Sequence, residues 1–230
     1  MISLLCPTRG RPKQALNLYR SFINTQLNKN ELIFCIQKED SSCEEYISMF
    51  KKNSLKYYLT ESMPTSYLWN QMAFNASGNL LTLIGDDVEI LTRGWDEKIE
   101  NEATKYKDNI FVITVDDGRS NETPQDKYMR CPHPTVHKKW VELLGYFVPP
   151  FFMHRYLDKY TSDLAINIGR FIEIKDVIFN HLKKDFFDDA TGKRSRNWTN
   201  YDKYIYEKVS KRYSSVDLEI LKQNIIQNSK

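Results

Sequence analysis

The chain lacks any apolar run of the roughly 18 to 20 residues needed to cross a bilayer, and no basic segment precedes its short apolar start, MISLLCPTRGRP. The expectation is a protein without export signal or membrane anchor. Cysteine is scarce: Cys6, Cys35, Cys43 and Cys131 show no CxxC spacing, which excludes the common zinc and dithiol motifs. A reduced, cytoplasmic setting follows as the simplest reading. Two nucleotide fingerprints are also missing. No GxGxxG follows the first apolar run and GxxxxGK[ST] occurs nowhere, which disfavours ordinary dinucleotide enzymes and P-loop ATPases. A net charge of only +3 does not by itself indicate a polyanionic partner.

What is present is aromatic and globular. The 230 residues are 41% hydrophobic and 13% aromatic, enough to build one substantial core and to offset the entropy of ordering the chain. Charge is uneven, with nine basic against five acidic residues between Lys183 and Arg212. A solvated helical face explains that excess most simply.

Apolar runs and helical periodicities alternate along the first half. Residues 2–6 read as a strand, the Pro-Thr-Arg-Gly-Arg-Pro segment as a loop, and Ala15, Leu16, Leu18, Tyr19, Phe22 and Ile23 as one face of a helix beginning near Pro12. The order repeats with strand 32–36, helix 43–52, strand 55–59, helix 65–76, strand 80–84, helix 95–106 and strand 110–115. Short helices are expected at 138–144 and 157–168. Such alternation predicts an α/β fold, a mostly parallel sheet with helices on both faces, followed by a less regular second half rich in proline.

The chemistry concentrates in LLTLIGDDVE, residues 80–89. A strand ending in Gly85 presents Asp86 and Asp87 at its carboxyl end, where open α/β sheets bind ligands. Adjacent carboxylates repel unless a cation lies between them, and hard oxygen ligands suit Mg²⁺ or Mn²⁺ on phosphates; a plain Gly-Asp-Asp turn is the alternative. Arg9 and Arg11 present guanidinium groups suited to phosphate oxygens. Asp158 and Asp163 lie five residues apart, about 140° around a helix, so only one of them faces any single pocket. His133 and His137 have the i, i+4 spacing of zinc sites, but Pro134 argues against a shared helical face.

Taken in order, SLLCPTRGRP, YLWNQMAFNASGNLLTLIGDDVEI, RGWDEKI and LLGYFVPPFFMHRYLDKYTSDLAINIGR resemble glycosyltransferases of the GT-A fold, in particular short family 2-like members, including viral and phage-encoded ones. The resemblance runs from Ile2 to His181. It implies a GT-A domain over residues 1–182, with a nucleotide-sugar-binding half at 1–115, an acceptor half at 116–182 and a helical basic extension at 183–230.

The resemblance also assigns roles. Gly85-Asp86-Asp87 stands where the family has its DxD-like motif, with Gly replacing the first acid; Asp87 becomes the metal ligand and Asp86 a ribose or water-mediated contact. Pro7, Thr8, Arg9 and Arg11 match the nucleoside-binding loop, Asp40 the acid that contacts the base, with Gln37 and Glu39 as competitors, and Asn70 a further donor-side position. His181 matches a histidine that completes the metal or diphosphate site. Asp158 matches the general base, with Asp163 as second candidate. The implied cofactor is Mn²⁺ or Mg²⁺, and the implied donor a nucleotide-diphosphate sugar, UDP-linked by first choice. The acceptor is left open among a glycan, a protein and a modified DNA base. The last rests on Lys193, Arg194, Arg196, Lys203, Lys208, Lys211 and Arg212 interleaved with Trp198, Tyr201, Tyr204 and Tyr206, a mixture able to engage phosphates and stack on bases. A nucleotidyltransferase and a non-catalytic binding protein are the rival readings. Phe151, Phe152 and Tyr156, after Pro149 and Pro150, fit core packing and also an acceptor platform.

Overall fold

The computed structural model describes residues 1–118, 131–182 and 190–227. The strands are β1 (Ile2–Thr8), β2 (Glu31–Gln37), β3 (Lys56–Thr60), β4 (Leu80–Leu83), β5 (Val88–Ile90), β6 (Val112–Asp116), β7 (Thr135–His137) and β8 (Phe171–His181). They form one sheet in the order β3-β2-β1-β4-β7-β6-β8-β5. The pairs β1/β2, β1/β4, β2/β3 and β6/β8 are parallel, while β4/β7, β6/β7 and β5/β8 are antiparallel. The sheet is thus mostly parallel and Rossmann-like, as expected.

Strands β1 and β2 are buried on both faces, which is why they read as continuous apolar runs rather than alternating ones. Ile2, Leu4, Cys6, Leu32, Phe34 and Ile36 point to one side, while Leu5, Ile33 and Cys35 point to the other. The first side is covered by α1 (Pro12–Thr25), α2 (Cys43–Lys52) and α4 (Trp95–Ala103), through side chains such as Phe22, Phe50 and Trp95. The second is covered by α3 (Thr65–Asn75), α5 (Lys138–Leu144) and α6 (Leu157–Asn167), through Trp69, Trp140 and Leu164. Pro12 occupies the first turn of α1, where its missing N–H leaves no bond unmade.

Antiparallel β5 and β7 are absent from the periodicity reading because three residues are too short to show a period. Strand β8 pairs with β6 along Phe171–Ile174, skips three residues, and resumes at Ile178, so a bulge separates Val115 from Asp116. Past that bulge its last residues pair with β5, His181 opposite Val88. This re-aiming brings His181 to the end of β4, the kind of redirection bulges supply next to sites.

At the C-terminus α7 (Ala190–Tyr204) runs through a π-helical turn, Ile205–Val209, into α8 (Ser210–Gln227). The segment is helical as predicted but not merely a solvated face. Asp202, Ile205, Asp217 and Leu221 are all buried, and Ile205 and Leu221 join the α3/α5/α6 core. Lys193, Arg196, Lys203, Lys208, Lys211 and Arg212 are exposed, while Lys183 and the side chain of Arg194 lie outside the described residues. Among the described residues no helix is long and apolar enough to cross a membrane.

Candidate active site

The carboxyl ends of neighbouring β1 and β4 place Thr8 beside Asp86, whose Oδ2 accepts from the Thr8 hydroxyl at 2.7 Å. Tyr46 of α2 completes this contact. Its hydroxyl lies 2.7 Å from Thr8 Oγ1 and accepts from the Arg11 backbone N–H at 2.7 Å. Because Thr8 gives its only proton to Asp86, the Tyr46 hydroxyl must donate to Thr8, making a directed relay Tyr46 → Thr8 → Asp86. The sequence places Tyr46 only within the helix expected at 43–52, with no functional signal. Its role here depends on a contact 38 residues away in the chain.

Arg11 is buried at the N-cap of α1, and its Nη1 lies 3.2 Å from Asp86 Oδ1 and 3.4 Å from Asp87 Oδ2. The cation that two adjacent acids require is therefore supplied, at least in part, by the chain itself. Burial, opposed by Arg11 and reinforced by the neighbouring Asp87, pushes the Asp86 carboxyl up to about 6. At Asp87 burial acts in the same sense, but hydrogen bonding and charge from His181, then the charge of Arg11, outweigh it and hold the carboxyl below its usual range. Asp87 is thus the firmly ionised member of the pair.

Asp87 is also the accessible member. Its side chain retains 19% of its surface and that of His181 30%, against 6% for Asp86. Backbone bonds fix the approach of the two, from Leu182 N–H to Asp87 O at 2.9 Å and from His181 N–H to Asp117 O at 3.0 Å. Gly85 leaves room for this carboxylate, since a Cβ at that position would stand 2.7 Å from Asp87 Oδ1. A side chain there would push the Asp87 carboxylate out of place.

Among the described residues no three His, Cys, Asp or Glu side chains converge as a complete metal site. Two do converge in a usable way. His181 Nε2 lies 3.2 Å from Asp87 Oδ2, close to the separation of about 3.0 Å between neighbouring ligands each about 2.1 Å from an octahedral ion. A carboxylate beside an imidazole is a donor pair that a divalent cation such as Mn²⁺ could share if further oxygen ligands completed the site.

The other residues expected on the donor side have definite partners. Pro7 is in β1, paired with Cys35 of β2. Arg9 turns to the β2 end, donating to Gln37 Oε1 at 2.5 Å and Glu39 Oε1 at 3.0 Å. Asp40 is buried and braces both loops, accepting from Gly10 N–H at 2.8 Å and Ser42 N–H at 3.0 Å. Asn70 is buried and clamps the chain ahead of the proline pair, accepting from the Phe147 and Val148 N–H groups and donating to Val148 O.

Asp158, the expected base, sits in the first turn of α6, protein on most sides and part of its surface still open, and accepts from Lys159 N–H at 2.8 Å. Burial raises its carboxyl above the usual range, against the helix-start amides and Lys159. Asp163 lies on another face of the same helix, where it binds Lys159 Nζ at 3.0 Å and accepts from the Tyr206 hydroxyl at 2.5 Å. Phe152 is fully buried, Phe151 stacks on Tyr213, and Tyr156 stacks on Tyr206 at 4.9 Å between centroids. His137 caps α5, its Nδ1 accepting from Lys139 N–H, and His133 takes a left-handed backbone.

No protein-family model matches the chain, and no curated protein matches it. Solved structures do. S. aureus TarS is matched at 12% identity with a TM-score of 0.62 over 92% of this chain and 44% of the TarS chain, so this chain spans under half of that protein. A TarS 1–349 structure in complex with UDP is matched at 11% identity and TM-score 0.60, over 89% of this chain and 71% of that one. The mannosyltransferase PcManGT from Pyrobaculum calidifontis, in complex with GDP-Man and Mn²⁺, is matched at 12% identity and TM-score 0.61, over 98% of this chain and 73% of that one. Identities this low speak for the fold alone, and the chain has a Rossmann-like GT-A fold.

Proposed function

We propose that this protein is a metal-dependent glycosyltransferase, of the family 2-like kind, that moves a sugar from a nucleotide-diphosphate donor to a hydroxyl acceptor with inversion. The observation that carries this reading is the accessible Asp87–His181 pair, 3.2 Å apart, at the carboxyl end of β4. It lies in a fold shared with structures holding UDP, UDP-GlcNAc, and GDP-Man with Mn²⁺.

In this reading Thr8 and Tyr46 orient Asp86, and Arg11, beside both acids, reaches the phosphates. A divalent cation on Asp87 and His181 would neutralise the charge that develops on the leaving diphosphate. Asp158 takes the proton from the acceptor hydroxyl as its oxygen attacks the anomeric carbon. The bond from that carbon to the diphosphate oxygen breaks, and the nucleoside diphosphate departs. The raised Asp158 carboxyl suits a group that must hold a proton during turnover.

A structure obtained with UDP or GDP and Mn²⁺ tests the assignment. Metal density bridging Asp87, His181 and the diphosphate is expected. Nucleotide bound elsewhere, or no metal at this pair, would contradict it.

A further inference from the structure

Asp202 is the most completely buried carboxylate of the C-terminal helices, with no exposed surface. Its Oδ1 accepts from Met153 N–H at 2.7 Å, and its Oδ2 accepts from His154 N–H at 2.9 Å and Arg155 N–H at 2.7 Å. Three consecutive amides thus close on one side chain about fifty residues later in the sequence. A buried carboxylate is retained only where charge-assisted bonds of this kind compensate its lost hydration.

The loop it grips is the entry to α6. Tyr156, directly after the three amides, adopts a left-handed backbone (φ 65°) as it turns the chain into the helix that carries Asp158. Such a conformation in a bulky residue persists only when its surroundings impose it. Here Asp202 holds the preceding amides, and Tyr206 of the π-helical turn stacks on the Tyr156 ring. The same loop is tied to the other side of the site. Thr65 N–H donates to Met153 O at 2.9 Å and Thr65 Oγ1 lies 2.9 Å from His154 Nδ1, while Gln37, partner of Arg9, donates to Met63 O at 2.8 Å.

We propose that Asp202 is a positioning residue for the acceptor side, fixing the Met153–Arg155 loop and through it the placement of Asp158, so that the C-terminal helices complete the site. The proposal rests on the glycosyltransferase reading above. Asp217 supplies the control. It joins α8 to the same body by accepting from the Tyr146 and Tyr160 hydroxyls and makes none of the loop contacts described for Asp202.

The test compares Asp202→Asn and Asp217→Asn for thermal stability, for calorimetric binding of UDP or GDP with Mn²⁺, and for hydrolysis of UDP-GlcNAc or GDP-mannose, well below each melting temperature. Asp202→Asn should lower kcat by about tenfold to a hundredfold, the scale of an ångström-level misplacement, with nucleotide affinity within about twofold of wild type. Asp217→Asn should lose stability while keeping its kcat. Asp202→Glu keeps the charge and the acceptor oxygens but displaces the loop, and it should reproduce the kcat loss if the Asn variant does not fold. Unchanged kcat in the Asp202 variants, or equal kcat losses in the Asp202 and Asp217 variants, overturns the proposal. Wild-type protein that neither binds nucleotide nor hydrolyses donor overturns the glycosyltransferase reading itself, and the wild-type measurement alone tells the two failures apart.

Discussion

Nε2 of His181 and Oδ2 of Asp87 stand 3.2 Å apart although 94 positions separate the two residues in the chain. The antiparallel pairing of β5 with the end of β8 brings them together. If the pair holds a divalent cation, His181→Ala should weaken Mn²⁺ binding by at least tenfold. Loss of even an outer-shell partner costs about 10- to 100-fold. Mn²⁺ titration by electron paramagnetic resonance in the presence of UDP or GDP reads this, and unchanged affinity would remove His181 from the site.

Arg11 bridges both acids from a nearly buried position, so Arg11→Met leaves Asp86 without its cation and Asp87 with His181 alone. Breaking a buried pair in this way costs about 3 to 5 kcal/mol. The variant should melt well below wild type, and Mn²⁺ should raise its melting temperature more than it raises that of wild type. Equal Mn²⁺ shifts in the two proteins would show that guanidinium and metal do not act on the same carboxylates.

Gly85 faces the Asp87 carboxylate so closely that an added Cβ would lie 2.7 Å from Oδ1. Gly85→Ala should cost little global stability, because the added Cβ meets only the movable end of the Asp87 side chain, but should impair Mn²⁺ binding by displacing that carboxylate. Circular dichroism and the same metal titration separate the two effects. A variant that binds Mn²⁺ normally would sink the idea that this glycine protects the carboxylate geometry.

Asp158 combines a functional and a stability signature. Its carboxyl is raised by burial, so the folded state binds the proton more tightly than the unfolded chain, and stability falls as pH rises from near 3.8 through the folded value. Asp158→Asn should therefore melt at or above wild type near neutral pH, with the advantage disappearing in acid. As loss of a positioned base, the same change should lower donor turnover by at least a hundredfold, roughly, with nucleotide binding preserved. The wild-type acid limb of kcat/KM should lie above 3.8. Asp163→Asn, whose carboxylate is engaged by Lys159 and Tyr206, should affect turnover much less; the opposite ranking would reassign the base.

The sheet was legible because its central strands are buried on both faces and stand out as apolar runs. Helices 43–52 and 138–144 follow from periodicity at the same boundaries that the structure shows. The three-residue strands β5 and β7 carry no period, so the antiparallel turn that delivers His181 could be reached only through resemblance. Asp86 and Asp87 were visible as an acid pair at a strand end, but their unlike states depend on Arg11, Thr8 and Tyr46, which tertiary folding assembles. The C-terminal segment was legible in part. Its described basic residues are exposed, as a solvated face would have them, but Asp202 and Asp217 are drawn inside by backbone amides and tyrosine hydroxyls that no local pattern announces.

The most direct test of the central claim is turnover of a nucleotide-sugar panel, UDP-GlcNAc and GDP-mannose included, by wild type and Asp87→Ala, each with Mn²⁺ and with EDTA. The account predicts release of nucleoside diphosphate by wild type with Mn²⁺ alone, and none above background from folded Asp87→Ala. Release that persists in EDTA, or in the Asp87→Ala protein, would contradict it.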